Sequence, residues 1–183
     1  MWKIIWIVDI ETTWFFNKWG LIVEIWIASL DIETWEILEK YDSLVKEPWF
    51  NDSCARAWIF SNSSLSFEEV DNAPSLESQL ATIQSSIDSF EHGVTAYNKA
   101  FDFTFLRDRG ITIPKELPCP MKVATPVLQL PSIWYGDYKR PKVEEAWDHL
   151  VGTPYVEEHR GLDDAIHEAR IVFELIKLGK FEV

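Results

Sequence analysis

In Ile4-Ile5-Trp6-Ile7-Val8-Asp9-Ile10-Glu11-Thr12-Thr13 a nearly unbroken apolar run ends in two carboxylates. A β-branched run of this kind suits a strand buried on both faces in the middle of a mostly parallel sheet, where an unpaired carboxylate is expensive. Asp9 and Glu11 stand at period two, so both point to one face. Two anions that close raise each other's pKa unless a cation or a set of hydrogen-bond donors lies between them. A divalent metal resolves the conflict most simply.

The letters Asp-Ile-Glu-Thr recur at residues 31–34 in a different setting. An apolar run over residues 21–30 precedes that copy, and an alternating run through Ile37, Leu38, Tyr41 and Leu44 follows it. The second copy therefore reads as the polar turn of a hairpin, and residues 21–30 and 36–45 as the second and third strands of an antiparallel meander. Trp35 falls in that turn, where Gly, Asn or Asp would supply a positive φ and a bulky ring is disfavoured.

The chain has 183 residues, 47% of them hydrophobic and 26% charged. That is the expectation for one globular domain over residues 1–183 with a sizeable core. No apolar run reaches membrane-spanning length, and the N-terminus lacks the basic region and cleavage site of a signal peptide, so the reading is a soluble cytoplasmic protein with no membrane contact. Cys54 and Cys119 are far apart, without CxxC spacing, and are expected to be reduced thiols rather than zinc ligands. A net charge of −13 argues against gripping long duplex through a broad basic face. It leaves open a cleft that takes one chain end, with bound cations offsetting the acidity where phosphate lands. Eight of the ten tryptophans fall within the first 58 residues, a bias for which we have no physical account.

Further along, residues 47–74 read as surface loops and short helices. Ser75 opens a helix through Leu76, Leu80, Ile83, Ile87 and Phe90, with Gly93 as its stop. Residues 94–97 are predicted as a short strand, and Asn98 as the cap of a helix over 101–109. Residues 121–124 are expected as a strand, 126–130 as a short helix, 131–141 as a loop and 142–151 as a helix. The last helix, residues 162–178, presents Leu162, Ile166, Ala169, Phe173 and Ile176 as its core stripe. A meander followed by alternating strand and helix predicts an α/β domain with a mixed central sheet flanked by helices.

Two further segments carry acids in unusual places. Asp102 shares a helix face with Phe105, Leu106 and Arg109, the inward face; a partnership with Arg109 or with the helix dipole is the plainer explanation. His159-Arg160-Gly161-Leu162-Asp163-Asp164 opens the last helix, with a histidine able to take a proton from water at neutral pH. Helical periodicity does not choose between Asp163 and Asp164.

In order and context, the Asp9-Ile10-Glu11-Thr12-Thr13 motif, the segment from Asn98 to Leu106 around Phe101 and Asp102, and His159 with four residues before Asp164 resemble the DEDDh exonucleases. Their members include the proofreading subunit of bacterial replicative polymerase, ribonuclease T and oligoribonuclease. The resemblance implies a ribonuclease H-like fold and 3′-to-5′ hydrolysis of single-stranded DNA or RNA ends, or of short oligonucleotides, releasing nucleoside 5′-monophosphates. It implies that Asp9, Glu11, Asp102 and Asp164 hold two divalent cations, Mg²⁺ or Mn²⁺, with His159 as general base. Four carboxylates balance two such ions, and oxygen ligands suit magnesium. It further implies substrate contacts from Thr12, Thr13, Trp14, Phe15, Asn98 and Phe101; at Trp14 the sequence departs from the family's usual glycine. A loop interleaving Trp134, Tyr135, Tyr138, Lys139, Arg140 and Lys142 is placed to meet the incoming strand. The resemblance leaves a polymerase partner or a homodimer undetermined. A catalytically impaired member acting as a nucleic-acid or protein binding module is the alternative reading.

Overall fold

The apolar run at the N-terminus forms β1 (Ile4–Thr12), an interior strand of the sheet with a neighbour on either side. The computed structural model describes residues 3–89, 91–132, 137–153 and 161–183. β1 runs antiparallel to β2 (Ile22–Asp31), with Asp9 opposite Trp26 and Glu11 opposite Glu24. β2 pairs antiparallel with β3 (Ile37–Leu44), and β1 pairs parallel with the short β4 (Val94–Thr95) through Trp6–Val94 and Ile7–Thr95. The expected mixed sheet with a leading antiparallel meander is present.

Period two divides β1 between two cores. Trp6, Val8 and Ile10 join Ile83 and Ile87 of α3 (Leu76–Asp88) and Phe105 and Leu106 of α4 (Lys99–Asp108). Ile5 and Ile7 face the other way, toward Ala124 of α5 (Pro120–Leu128), Ala146 of α6 (Val143–Leu150) and Ala169 and Val172 of α7 (Gly161–Lys177). Ile5, Ile7 and Val8 are completely buried, and each such side chain contributes roughly 1.5–3 kcal/mol. Asp9 and Glu11 extend the Ile5–Ile7 row, so the strand that anchors the sheet also delivers two acids toward α7. The connection from β3 to α3 carries α1 (Ile59–Asn62) and α2 (Phe67–Asp71), the latter opened by a reciprocal Ser66–Glu69 cap.

The second Asp-Ile-Glu-Thr copy is a turn, as expected. Asp31 Oδ1 accepts the Glu33 amide at 2.8 Å and the Thr34 amide at 3.2 Å, and the Glu33 bond in particular holds this carboxyl below its usual range. Trp35 takes up a left-handed φ of 67° there, with its ring 4.1 Å from that of Phe173.

Several expectations are corrected. Residues 121–124 are not a strand: one helix, α5, covers Pro120–Leu128, because Pro120 needs no amide at the first helical position and Pro126 sits in the last turns without stopping it. α3 ends at Asp88 rather than at Gly93, whose φ of 114° instead turns the chain into β4. β4 stops at Thr95, two residues short of the predicted strand. Asn98 precedes α4, but its side chain makes no capping bond. In the α7 stripe Ala169 and Phe173 are buried and Ile176 packs against the same core, as expected, and the side chain of Leu162 lies outside the described residues; Ile166 is 37% exposed instead, while Asp164 and Glu168 point inward with Ala165 and Val172.

Trp19 also adopts a left-handed conformation, φ 59°, but is 91% exposed and so gains little packing in return. A side chain in that region costs about 1–2 kcal/mol that glycine avoids. Trp19→Gly is therefore expected to leave stability unchanged or raise it by up to about 1 kcal/mol, whereas Trp35→Gly lowers it by about 1 kcal/mol or more through the lost Phe173 contact. Urea midpoints of the two variants check this contrast.

Candidate active site

The end of β1 meets the first turns of α4 and α7. Asp9, Glu11 and Asp164 each offer a carboxylate oxygen within 4.8 Å of the others. Asp164 is 2% exposed, and Asp9 Oδ2 is buried with no hydrogen-bond partner. Burial first, and then the charges of Glu168, Glu11, Asp102 and Asp164, push the Asp9 carboxyl well above its ordinary range. Asp102, in the first turn of α4 and 4% exposed, is pushed up to about 7 by burial, against the opposing pull of its own and the Ile10 amide. A buried oxygen without a donor amid converging like charges is the donor set a hard divalent cation requires.

Arg109 does not pair with Asp102. Its Nε donates to both Glu47 oxygens at 3.2 Å and its Nη2 to the Gly20 carbonyl at 2.8 Å, while Glu47 Oε1 accepts the Ile22 amide at 2.6 Å. This clamp ties α4 to the turn that follows β1. Gly20 is obligatory in that turn, since a Cβ would stand 1.9 Å from the Trp14 carbonyl oxygen.

The residues expected at the substrate divide into fixed and exposed groups. Thr13 is 2% exposed and its hydroxyl accepts the Leu21 amide at 3.0 Å; the Thr12 hydroxyl donates to the Trp14 carbonyl at 3.1 Å. Trp14 and Phe15 are 41% and 65% exposed. Phe15 meets Phe101 edge-on at 6.4 Å, and Phe101 leans on Phe105 at 5.0 Å, so the exposed rings are backed by the core. Trp14, Phe16, Trp19 and Trp49 line a groove of about 980 Å³ that begins two residues beyond Glu11. His159, Trp134 and Tyr135 lie outside the described residues, as does the side chain of Asp163. Lys139 pairs with Glu145, and Tyr138 is 47% exposed.

Glu168 escaped the sequence reading altogether. The signal available was its i+4 spacing from Asp164, which places the two acids on one helix face.

The family model described as Exonuclease (RNase_T) matches residues 6–172. The chain belongs to this exonuclease family. The expected exonuclease membership is thereby borne out, and the enzyme class is exonuclease. No curated protein matches the chain. Among solved structures, one titled for 3′-end recognition of a histone mRNA stem-loop by 3′-exonuclease superposes with a TM-score of 0.73 at 17% identity, covering 100% of this chain and 85% of that one. The nuclease domain of 3′hExo, a DEDDh family member bound to rAMP, gives 0.72 at 18%, covering 100% and 97%. Cell-death related nuclease 4 gives 0.72 at 15%, covering 98% and 66%. At these identities the likeness establishes the fold, which is the expected ribonuclease H-like one.

Raised carboxyl pKa values have a definite sign in the metal-free protein. Between the unfolded value near 4 and the folded value of about 7 for Asp102, the folded state binds more protons, so stability is full at low pH and declines as pH rises through that window. The melting temperature in EDTA is expected to fall between pH 5 and pH 8. Asp102→Asn should flatten that fall, as thermal melts across the range would record.

Proposed function

We propose that this exonuclease removes nucleotides singly from the 3′ end of single-stranded DNA or RNA, with Asp9, Glu11, Asp102 and Asp164 holding two Mg²⁺ or Mn²⁺ ions and His159 as general base. The observation that carries this reading is the buried, donorless Asp9 Oδ2 inside the Asp9–Glu11–Asp164 trio, on a chain of exonuclease family. When bound, the cations would stabilise charge on the phosphate oxygens and lower the pKa of a coordinated water. The chain's own part is positional. β1 fixes the spacing of Asp9 and Glu11, and α4 and α7 present Asp102 and Asp164 from their first turns. Trp14, Phe15 and Phe101 offer aromatic surface to the terminal bases, with Thr12, Thr13 and Asn98 as polar neighbours; base stacking on such rings is worth about 1–3 kcal/mol each.

One domain would carry the whole activity, in the cytoplasm; the free thiols Cys54 and Cys119, both buried, support a reducing location. Among the described residues no helix is long and apolar enough to cross a membrane.

With Mn²⁺ and oligonucleotides labelled at the 5′ end, a progressively shortened ladder is expected, abolished by EDTA. Asp9→Asn or Asp102→Ala should slow it by roughly a hundredfold or more, the several-kcal/mol scale of metal charge stabilisation. Phe15→Ala should chiefly raise KM, by about 5- to 100-fold, if its ring stacks on a base. Tight Mn²⁺ binding without a ladder would replace this reading with that of a binding module, and parallel DNA and RNA substrates separate the two chemistries.

A further inference from the structure

The turn that carries Trp14, Phe15 and Phe16 past the end of β1 is shaped by its own backbone but aimed by a distant side chain. The β1–β2 ladder closes at Thr12–Ile22, and the Thr13 amide donates to the Leu21 carbonyl at 2.9 Å. Beyond that point the amides of Lys18, Trp19 and Gly20 donate within the turn itself, to the carbonyls of Phe15 and Phe16. Bonds of this kind fix the shape of a turn without fixing its direction relative to the rest of the molecule.

Arg109 supplies the direction. It follows the last residue of α4, and its guanidinium lies 6.0 Å from the Phe16 ring and 5.1 Å from the Phe105 ring. Nη2 donates to the Gly20 carbonyl, Nη1 to Asp108 Oδ2, and Nε to Glu47, whose Oε1 accepts the Ile22 amide. One side chain thus holds the turn at Phe16, at Gly20 and, through Glu47, at Ile22. At its other end α4 carries Asp102 and also Phe101, which meets Phe15 edge-on. The helix that presents Asp102 is tied to the aromatic turn at both of its ends.

An apolar contact would hold the turn with as much stability, because a buried ion pair repays its desolvation poorly. The pair offers direction instead, since a planar fork meets two carboxylate oxygens and a carbonyl in only one orientation. What it directs is a surface open to solvent: Phe15 is 65% exposed and Phe16 41%. Contiguous exposed apolar surface marks a binding site. We propose that Arg109 and Glu47 are positioning residues for the nucleic-acid strand: they hold the Phe15 ring at a fixed angle to the carboxylates, so that its ordering is completed in folding rather than at binding. Neither residue touches the strand; the effect passes through the ring. The inference deepens the exonuclease reading proposed above and rests on it.

Steady-state hydrolysis of a single-stranded oligonucleotide labelled at the 5′ end, with Mn²⁺, is compared for wild type, Arg109→Lys, Phe15→Ala and the double variant. Arg109→Lys keeps the charge and loses the fork. It is expected to raise KM about 5- to 50-fold with kcat within about twofold of wild type. In the Phe15→Ala background its effect on KM should be at least about threefold smaller, because the ring through which it acts is gone. A fall in kcat with unchanged KM would mark a merely structural role, and an equal rise of KM in both backgrounds would mark a direct contact of Arg109 with phosphate; either result overturns the proposal. If Arg109→Lys does not fold, Glu47→Gln, which retains an acceptor for the Ile22 amide, decides by the same comparison. Wild-type protein that shortens no oligonucleotide overturns the exonuclease reading beneath, a result seen before any variant is made.

Discussion

Like charges buried at the end of a central strand are the constraint to which the rest of this structure answers. Asp9 cannot move away from its neighbours, because Ile5, Ile7 and Val8 hold β1 inside the sheet with no exposure at all. The acids from α4 and α7 cannot turn outward either, since Asp102 shares its turn with buried Phe103 and Phe105, and Asp164 precedes buried Ala165. Packing on both faces of the sheet thus forces together groups that electrostatics alone would separate. The hydrophobic term prevails because it is spread over two cores, while the repulsion is confined to one end of one strand.

The surroundings divide the labour. On the α3–α4 side, the Glu47–Arg109–Gly20 clamp fixes the turn after β1 with a buried ion pair that also binds the Ile22 amide, the Gly20 carbonyl and the Asp108 carboxylate. A buried pair of this kind adds little net stability, but it defines one geometry sharply, and losing one partner is costly. On the α5–α7 side, small residues, Ala146, Ala165 and Ala169, let the last helix approach the sheet closely enough for its acids to reach the end of β1. The aromatic rim of Trp14, Phe15 and Phe16 sits between these two supports and borrows rigidity from α4 through Phe101 and Phe105.

Much of this was legible in the sequence where pattern and chemistry agreed. The meander followed from apolar runs separated by polar turns, and Asp31 was separable from Asp9 by context although the letters are the same. The family could be read from three motifs taken together in their order along the chain. The failures share one cause, which is that local rules assume a residue serves its own element. Pro126 suggested a helix start but is carried within α5, and Asn98 precedes α4 without its side chain capping it. Asp164 and Glu168 take inward positions on α7, and Ile166, read as a core residue, lies on the exposed side. Trp35 is strained locally and repaid by Phe173, a contact 138 positions distant that no turn rule contains.

The acidic trio draws its members from both ends of the chain, Asp9 and Glu11 in the first strand and Asp164 in the last helix described. Chains emerge from the ribosome N-terminal end first, at about 5–20 residues per second. Until α7 has been made, the sheet can assemble while the trio is incomplete, and the repulsion that burdens the finished fold is absent from the nascent one. The cluster comes into being only when α7 docks. The carboxylate cluster therefore cannot be assembled beside the messenger before α7 has been made.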